Sequence, residues 1–227
     1  ALLEYCRASD WAGHDPYDAL NSRLLASVPL LDSRIPRLVL TQALKRSPIN
    51  IRGLLRIPKA HNPKGIALFL SALIRLHRAG LLVDKSLIGH LAQKLVELRS
   101  PGTEFWCWGY SFPWQTRTQL VPRWSPNAVC TIFVAESLLD LFEHQRDARH
   151  LEMAASAAKF IQQLIWSDGQ KVTSLCYPLP TMKTPIHNAN LLGAALLARV
   201  ARLAGDKQLL EPAFRLARYS VAGQHAD

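Results

Sequence analysis

The most regular feature of the chain is a small polar residue followed by proline and then a long apolar stretch, at Asn62-Pro63, Ser125-Pro126 and Thr184-Pro185. The prolines recur after 63 and then 59 residues. Asn, Ser and Thr accept hydrogen bonds from first-turn N–H groups, and proline suits the first helical position because no N–H is needed there. Each pair therefore predicts a helix start. The segments that follow, Gly65 to Leu76, Ala128 to Phe142 and Ala189 to Leu203, are apolar around most of a helical circumference, as expected of helices surrounded by protein. After a short polar break each gives way to a one-sided stripe. The stripes are Leu87, Ile88, Leu91, Leu95 and Leu98; Leu151, Ala154, Ala158, Ile161 and Ile165; and Leu210, Ala213, Phe214, Ala217 and Val221. Spacings of three and four predict outer helices with one wet face, and Pro212 is expected in a first turn, where it costs least.

Three helical hairpins with a period of roughly 60 residues form an internal repeat, and such repeats bury their apolar faces by stacking on neighbours. The expected fold is all-α: an α/α toroid of repeated helical hairpins, six-hairpin-like, in one domain over residues 1–227. Ile35 to Arg46 adds a helix, and Asp15-Pro16 and Ser47-Pro48 are further cap-like starts, giving four hairpins. A closed ring of six hairpins needs about 350 residues at this period, so the expectation is a toroid incomplete at its C-terminus. The opening Ala1-Leu2-Leu3-Glu4-Tyr5 reads as the inside of a helix, and the closing Gly223 to Asp227 does not look like a cap. Both suggest a fragment of a longer domain.

With 227 residues and 49% apolar side chains, the chain can bury a substantial core, which excludes low-complexity disorder, collagen and a disulfide miniprotein. Four scattered cysteines without a C-x-x-C pair argue against a zinc ribbon and predict free thiols in a reducing, cytoplasmic setting. No apolar run reaches the roughly 18 residues of a membrane span, so no integral membrane segment is expected. Nucleotide-binding glycine loops, H-E-x-x-H helices and G-x-S-x-G elbows are absent, and neither cofactor nor metal is expected. The net charge of +10 and pI near 9.8 suit an anionic partner. Nucleic acid is disfavoured, because the basic residues are dispersed and the aromatics form no RNP-like motif.

In a stack of hairpins the inner helices run parallel, so the loops before their N-termini gather at one mouth. Those loops carry Trp11, His14, Asp15, Tyr17, Asp18 and Asn21; Arg52, Arg56, Lys59, His61 and Lys64; Trp106, Trp108, Tyr110, Trp114, Gln115 and Arg117; and Tyr177, His187, Asn188 and Asn190. Rings beside Asn, Gln and Arg suit a sugar cleft, since pyranose C–H faces stack on rings while hydroxyls need fixed donors and acceptors. Helix N-termini and the loop cations, Arg123 and Lys183 included, favour an acidic or phosphorylated saccharide.

Asp15 and Asp18 are the candidate acid/base pair, because two carboxylates in one cleft can have their pKa values pushed apart. Tyr110 and His187 are further candidates for proton transfer. Each has a structural alternative. Asp15, Pro16 and Asp18 fit the N-cap, N1 and N3 positions of a capping arrangement, and His187 would complete a cap begun by Thr184. The run Trp106, Trp108, Tyr110, Phe112, Trp114 alternates with period two, as in a short strand or an extended loop with one buried face. Capping accounts for Asn62 better than ligand binding does. Arg75, Arg78, Arg99, Arg146, Arg149, Arg199 and Arg202 read as a solvated outer face holding most of the net charge.

The motifs DPYDALNS (Asp15 to Ser22), KRSPINIRGLLRIPKAHNPKG (Lys45 to Gly65), CWGYSFPWQTR (Cys107 to Arg117), PNAVCTIFVAESLLD (Pro126 to Asp140) and HNANLLGAALLARV (His187 to Val200) together resemble a bacterial family of α/α-toroid proteins. Its members are encoded among polysaccharide-biosynthesis genes, and some are labelled as terpenoid cyclases or prenyltransferases. The resemblance covers nearly the whole chain. It implies a toroid that makes or modifies exopolysaccharide, with further helical repeats beyond the present C-terminus, and it transfers no catalytic residues. Ala19 stands where glycine is common in the motif D-P-Y-D-G-L.

Two functions compete at this point. One is a carbohydrate-active protein of exopolysaccharide biosynthesis that binds or modifies an acidic or phosphate-linked glycan, with epimerase, lyase and hydrolase chemistry all open. The other is a non-catalytic toroid that binds glycan or polysaccharide-synthesis proteins. A terpenoid cyclase is disfavoured by the absence of D-x-D-D and D-D-x-x-D motifs.

Overall fold

The computed structural model describes residues 2–82, 84–169 and 171–224, apart from the side chain of Leu25. Ala1 and the expected uncapped end at His225 to Asp227 lie outside the described residues. The chain divides into two compact units, Ala1–Asn62 with Tyr110–Ser125, and Pro63–Gly109 with Pro126–Asp227.

The second unit is built from three helical hairpins: α3 (Pro63–Arg78) with α4 (Ser86–Glu97), α5 (Ala128–Gln145) with α6 (Ala148–Gln163), and α7 (His187–Ala204) with α8 (Leu210–Ala222). Helix α5 packs on both α3 and α7. Helices α3 and α5 run the same way: Lys64 at the start of α3 lies over the Phe133 ring near the start of α5, and Arg78 at the end of α3 donates to the carbonyl of Asp140. Leu70, Ile74, Leu91, Leu95, Leu138, Leu139, Ile161, Leu196 and Leu216 are fully enclosed. This is the all-α, inner-and-outer hairpin architecture of an α/α toroid. A short antiparallel hairpin, β3 (Ile165–Ser167) with β4 (Thr173–Leu175), joins α6 to α7.

Several helix boundaries differ from the sequence expectation. Ser125 and Thr184 do not cap, because the helices begin two residues beyond Pro126 and Pro185, at Ala128 and His187. Asn127 caps α5, its side chain accepting from the Cys130 N–H at 3.0 Å. In α7 the cap position is Ile186 with no side-chain bond, and His187 is the first helical residue. Ile165 leaves the α6 stripe to pair with Leu175. Phe214 and Val221 are exposed, because α8 buries Pro212, Ala213, Leu216 and Ser220 instead. Pro212 does lie in the first turn. Gly193 on α7 marks a close approach, since a Cβ there would meet Leu175 Cδ1 at 2.6 Å.

The first unit has little regular structure. Helix α1 (Leu2–Ala8) ends where Asp10 and Trp11 take left-handed backbone, with Trp11 N–H bonded to the Cys6 carbonyl. A 3-10 turn (Asp18–Asn21) and two shorter ones lead to α2 (Arg34–Arg46). Strands β1 (Trp114–Gln115) and β2 (Leu120–Val121) pair antiparallel. Ala19, Leu44 and Ile57 make a small core. Ser47-Pro48 begins no helix; turns follow through Arg56. Helix α2 packs on the Asp18–Asn21 turn and on β1, so it does not supply the expected fourth hairpin.

All four cysteines are free and buried, as expected from their spacing, and burial pushes the Cys130 thiol up to about 12. Among the described residues no helix is long and apolar enough to cross a membrane.

Candidate carboxylate site

The segment His14 to Asn21 folds as it does because two aspartates satisfy its backbone. Tyr17 N–H donates to Asp15 Oδ1 at 2.9 Å, and Asp15 N–H donates to Asp18 Oδ2 at 3.1 Å. This is an Asx turn closed by a back-bond from Asp18, and not the expected N-cap, N1 and N3 arrangement: the cap position of the 3-10 turn is Tyr17, whose side chain makes no cap bond. Arg52 locks it from a distant part of the chain: its Nε donates to both Asp18 oxygens at 3.0 and 3.2 Å, and Nη2 donates to the Asp15 carbonyl at 3.0 Å. His14 Nδ1 lies 3.3 Å from Asp18 Oδ2.

The two carboxylates thereby acquire different characters. The side chain of Asp18 is 3% exposed and engaged by a guanidinium, an imidazole and a backbone N–H. It is a structural anchor. Asp15 is half-buried, and its Oδ2 accepts from the Asn62 amide at 3.3 Å. Burial raises its pKa above 3.8, helped by the Asp18 charge and opposed by the Tyr17 N–H, Asn62 and Arg52. Each carboxylate oxygen has two acceptor sites, so Asp15 retains capacity for a ligand. Beside it, Lys45 Nζ donates to Tyr17 Oη and sits 4.3 Å from the ring centre.

The remaining predicted residues divide by burial. Several serve the fold and are unavailable to a ligand as placed. Trp108 is wholly buried, its indole N–H donating to the Leu95 carbonyl at 2.7 Å. Asn190, also wholly buried, accepts from Leu175 N–H and Ser174 Oγ and reaches Ser220, pinning β4 to α7 and α8. Gln115 accepts from Arg37, and Asn21 accepts from Arg123; both are buried, as is Trp11. The expected one-sided burial of the aromatic run is replaced by burial on both sides, with Cys107, Gly109 and Ser111 enclosed as well as Trp108 and Phe112. Tyr110 is half-buried and stacks on Phe112 at 5.5 Å. Trp106, Trp114, Lys64 and Tyr177 are also half-buried, and Arg117 and Asn188 are exposed. His187 is exposed and stacks on Tyr219 at 5.3 Å. Asp15, Asp18 and Tyr110 belong to the first unit and His187 to the second.

One charged cluster escaped the sequence reading. On α5, Glu136, Asp140 and Glu143 lie at i, i+4 and i+7, and Arg199 of α7 bonds all three, with Arg202 on Glu143. Ser71 of α3 donates to Asp140 at 2.7 Å. Arg199, expected on a solvated outer face, instead clamps α5 to α7: burial opposes its charge, but the three carboxylates hold its pKa above the ordinary Arg value. Burial raises Glu136, while the Arg199 hydrogen bond lowers Glu143. The acidic stripe on α5 and the basic pair on α7 were the available signal.

No protein-family model matches the chain, and no functionally curated protein does. Among solved structures it is similar to a cellobiose 2-epimerase from Spirochaeta thermophila DSM 6192, with 15% identity and a TM-score of 0.47 over 91% of this chain and 61% of that one. The chain thus spans about three fifths of the length of that protein.

Proposed function

We propose that this protein binds and chemically modifies an acidic or phosphate-linked saccharide at the His14–Asn21 segment, with Asp15 as the proton-transfer group. The observation that carries this reading is the asymmetry of the carboxylate pair: Asp18 is consumed by Arg52, while Asp15 keeps free acceptor capacity and a raised pKa. Tyr17, His14 and Asn62 surround it with groups suited to hydroxyls. The first unit holds eleven Lys and Arg against five Asp and Glu, a net +6 of the chain's +10, which favours an anionic sugar there. Proton abstraction beside a uronate carboxylate, as in epimerisation or lyase chemistry, uses one carboxylate of this kind, whereas hydrolysis uses two opposed ones. A cytoplasmic place in exopolysaccharide synthesis belongs to the same proposal.

The test is incubation of the protein with oligoglucuronates and oligogalacturonates in D2O, following deuterium at C5 and unsaturated product by NMR. Exchange or cleavage that disappears in Asp15→Asn while binding persists is the expected result. Absence of both binding and turnover across these acidic glycans overturns it. A second reading, a non-catalytic glycan- or partner-binding toroid, is favoured by the backbone bonds that Asp15 and Asp18 accept, which give both aspartates a structural task. Binding unaffected by Asp15→Asn, with no chemical change in the glycan, is its signature.

A further inference from the structure

Between α4 and the first half of α6 lies a groove of about 690 Å³, within the roughly 300–1,000 Å³ of small-molecule sites. It is confined to the second unit. The inner helices α3 and α5 pack directly on each other, and the groove is the wedge left between their outer partners.

Trp106 lines it. Its backbone N–H donates to Ser156 Oγ at 3.0 Å, and its ring is held by Trp108 at 6.0 Å and by the Arg99 guanidinium at 4.8 Å. Arg99 is fixed in turn by the carbonyls of Thr103 and Phe105 and forms no part of the groove wall. The groove therefore meets a preoriented indole with little side-chain freedom to lose on binding. Gln93 and Gln145 line the same space, the Gln93 amide donating to Glu97 at 3.2 Å and keeping its oxygen as an acceptor. So do Glu104 and Glu152, which make no hydrogen bond or ion pair among the described residues. Arg149, also on the wall, is neutralised by Asp147 through Nε at 3.0 Å and Nη2 at 2.6 Å.

We propose that this groove is a second saccharide site, separate from Asp15, for an uncharged or amino-bearing oligosaccharide. The indole supplies a platform for a pyranose face, as aromatic side chains do for apolar surfaces with a polar rim. The amides and unpaired carboxylates accept hydroxyl or ammonium protons. Two uncompensated carboxylates repel uronates and phosphates, the opposite preference from that proposed for the first unit.

Calorimetric titration with glucosamine tetramer, N-acetylglucosamine tetramer and tetragalacturonate tests this. The first two are expected to bind, the glucosamine tetramer losing affinity with added salt, and tetragalacturonate at least tenfold more weakly. Gly89→Phe fills the groove from α4, where a Cβ meets nothing within 4 Å, so the fold is kept while affinity falls at least tenfold. Trp106→Ala falls similarly. Failure of both neutral and amino sugars to bind, a preference for tetragalacturonate, or unchanged affinity in Gly89→Phe overturns the proposal. Asp15→Asn separates the two sites: retained binding supports the groove, and lost binding places the sugar at Asp15 and overturns the groove alone.

Discussion

The two units hold their shape by different means. The second is a stack of amphipathic helices whose leucines and isoleucines are enclosed between packed helices. The first has a small core of Ala19, Leu44 and Ile57 and depends on polar ties such as Arg52 to Asp18, Arg123 to Asn21 and Arg37 to Gln115. It also holds four of the five non-glycine residues with positive φ among the described residues, Asp10, Trp11, Arg56 and Trp124. Backbone of this kind costs about 1–3 kcal/mol per residue and persists where surrounding contacts over-determine it. The comparison separates a scaffold stabilised by area from a segment stabilised by specific bonds, and the candidate proton-transfer group sits on the latter.

The largest blow to the scaffold should come from Trp108→Ala. It removes a wholly buried ring and its bond to Leu95, and the expected loss is about 3–5 kcal/mol in urea unfolding. An effect below about 1 kcal/mol would mean that the interior of the second unit is not packed as described.

Arg52→Ala attacks the other kind of stability. It leaves the Asp18 carboxylate, 3% exposed, without its guanidinium, at a cost of about 2–3 kcal/mol. Hydrogen exchange should accelerate in residues 13–22 and 50–62 and stay unchanged in α5. Uniform acceleration through α5 would erase the distinction between the units.

Arg199→Ala should cost less, about 1–2 kcal/mol, because roughly a fifth of the side chain meets solvent and screening weakens the cluster. Its signature is pH dependence. Glu143 is held below 4.5 by Arg199, so its contribution is present above pH 4.5 and lost as pH falls through the lower folded value. The variant should lack that acid-side loss.

The smallest effect is expected for Asp15→Asn. The folded pKa of Asp15 is raised above 3.8, so the folded protein binds this proton more tightly, and the group's contribution declines as pH rises through the folded value. Stability of the variant relative to the parent should therefore improve from about pH 4 upward, read from thermal unfolding across that range. A difference flat with pH would remove the raised pKa from the case for Asp15.

Much of the second unit was legible because its signals are local. Pro63 starts α3 where Asn62-Pro63 predicted, Pro212 falls in a first turn, and the stripes Leu87 to Leu95 and Ala154 to Ile161 face inward. The errors came where a contact distant in sequence outweighed local preference. Ile165 continues the α6 spacing, yet pairing with Leu175 takes it into a strand. Phe214 is exposed because the Ser220 face of α8 is drawn to Asn190. At the site, a local backbone-bonding role for Asp15 and Asp18 was readable from their spacing, though not its cap position, but Arg52, 34 residues away from Asp18, decided which carboxylate is spent.

From the chain of residues alone came the helical class, the hairpin period and the inner and outer order, since each follows from periodicity. Folding in three dimensions decided which polar side chains are enclosed and which keep a spare acceptor. It buried Trp108 and Asn190, left Asp15 half open, joined Arg199 to three carboxylates and set Trp106 along an outer groove. Burial and charge pairing are sums over neighbours from everywhere in the chain, and no stretch of sequence contains them.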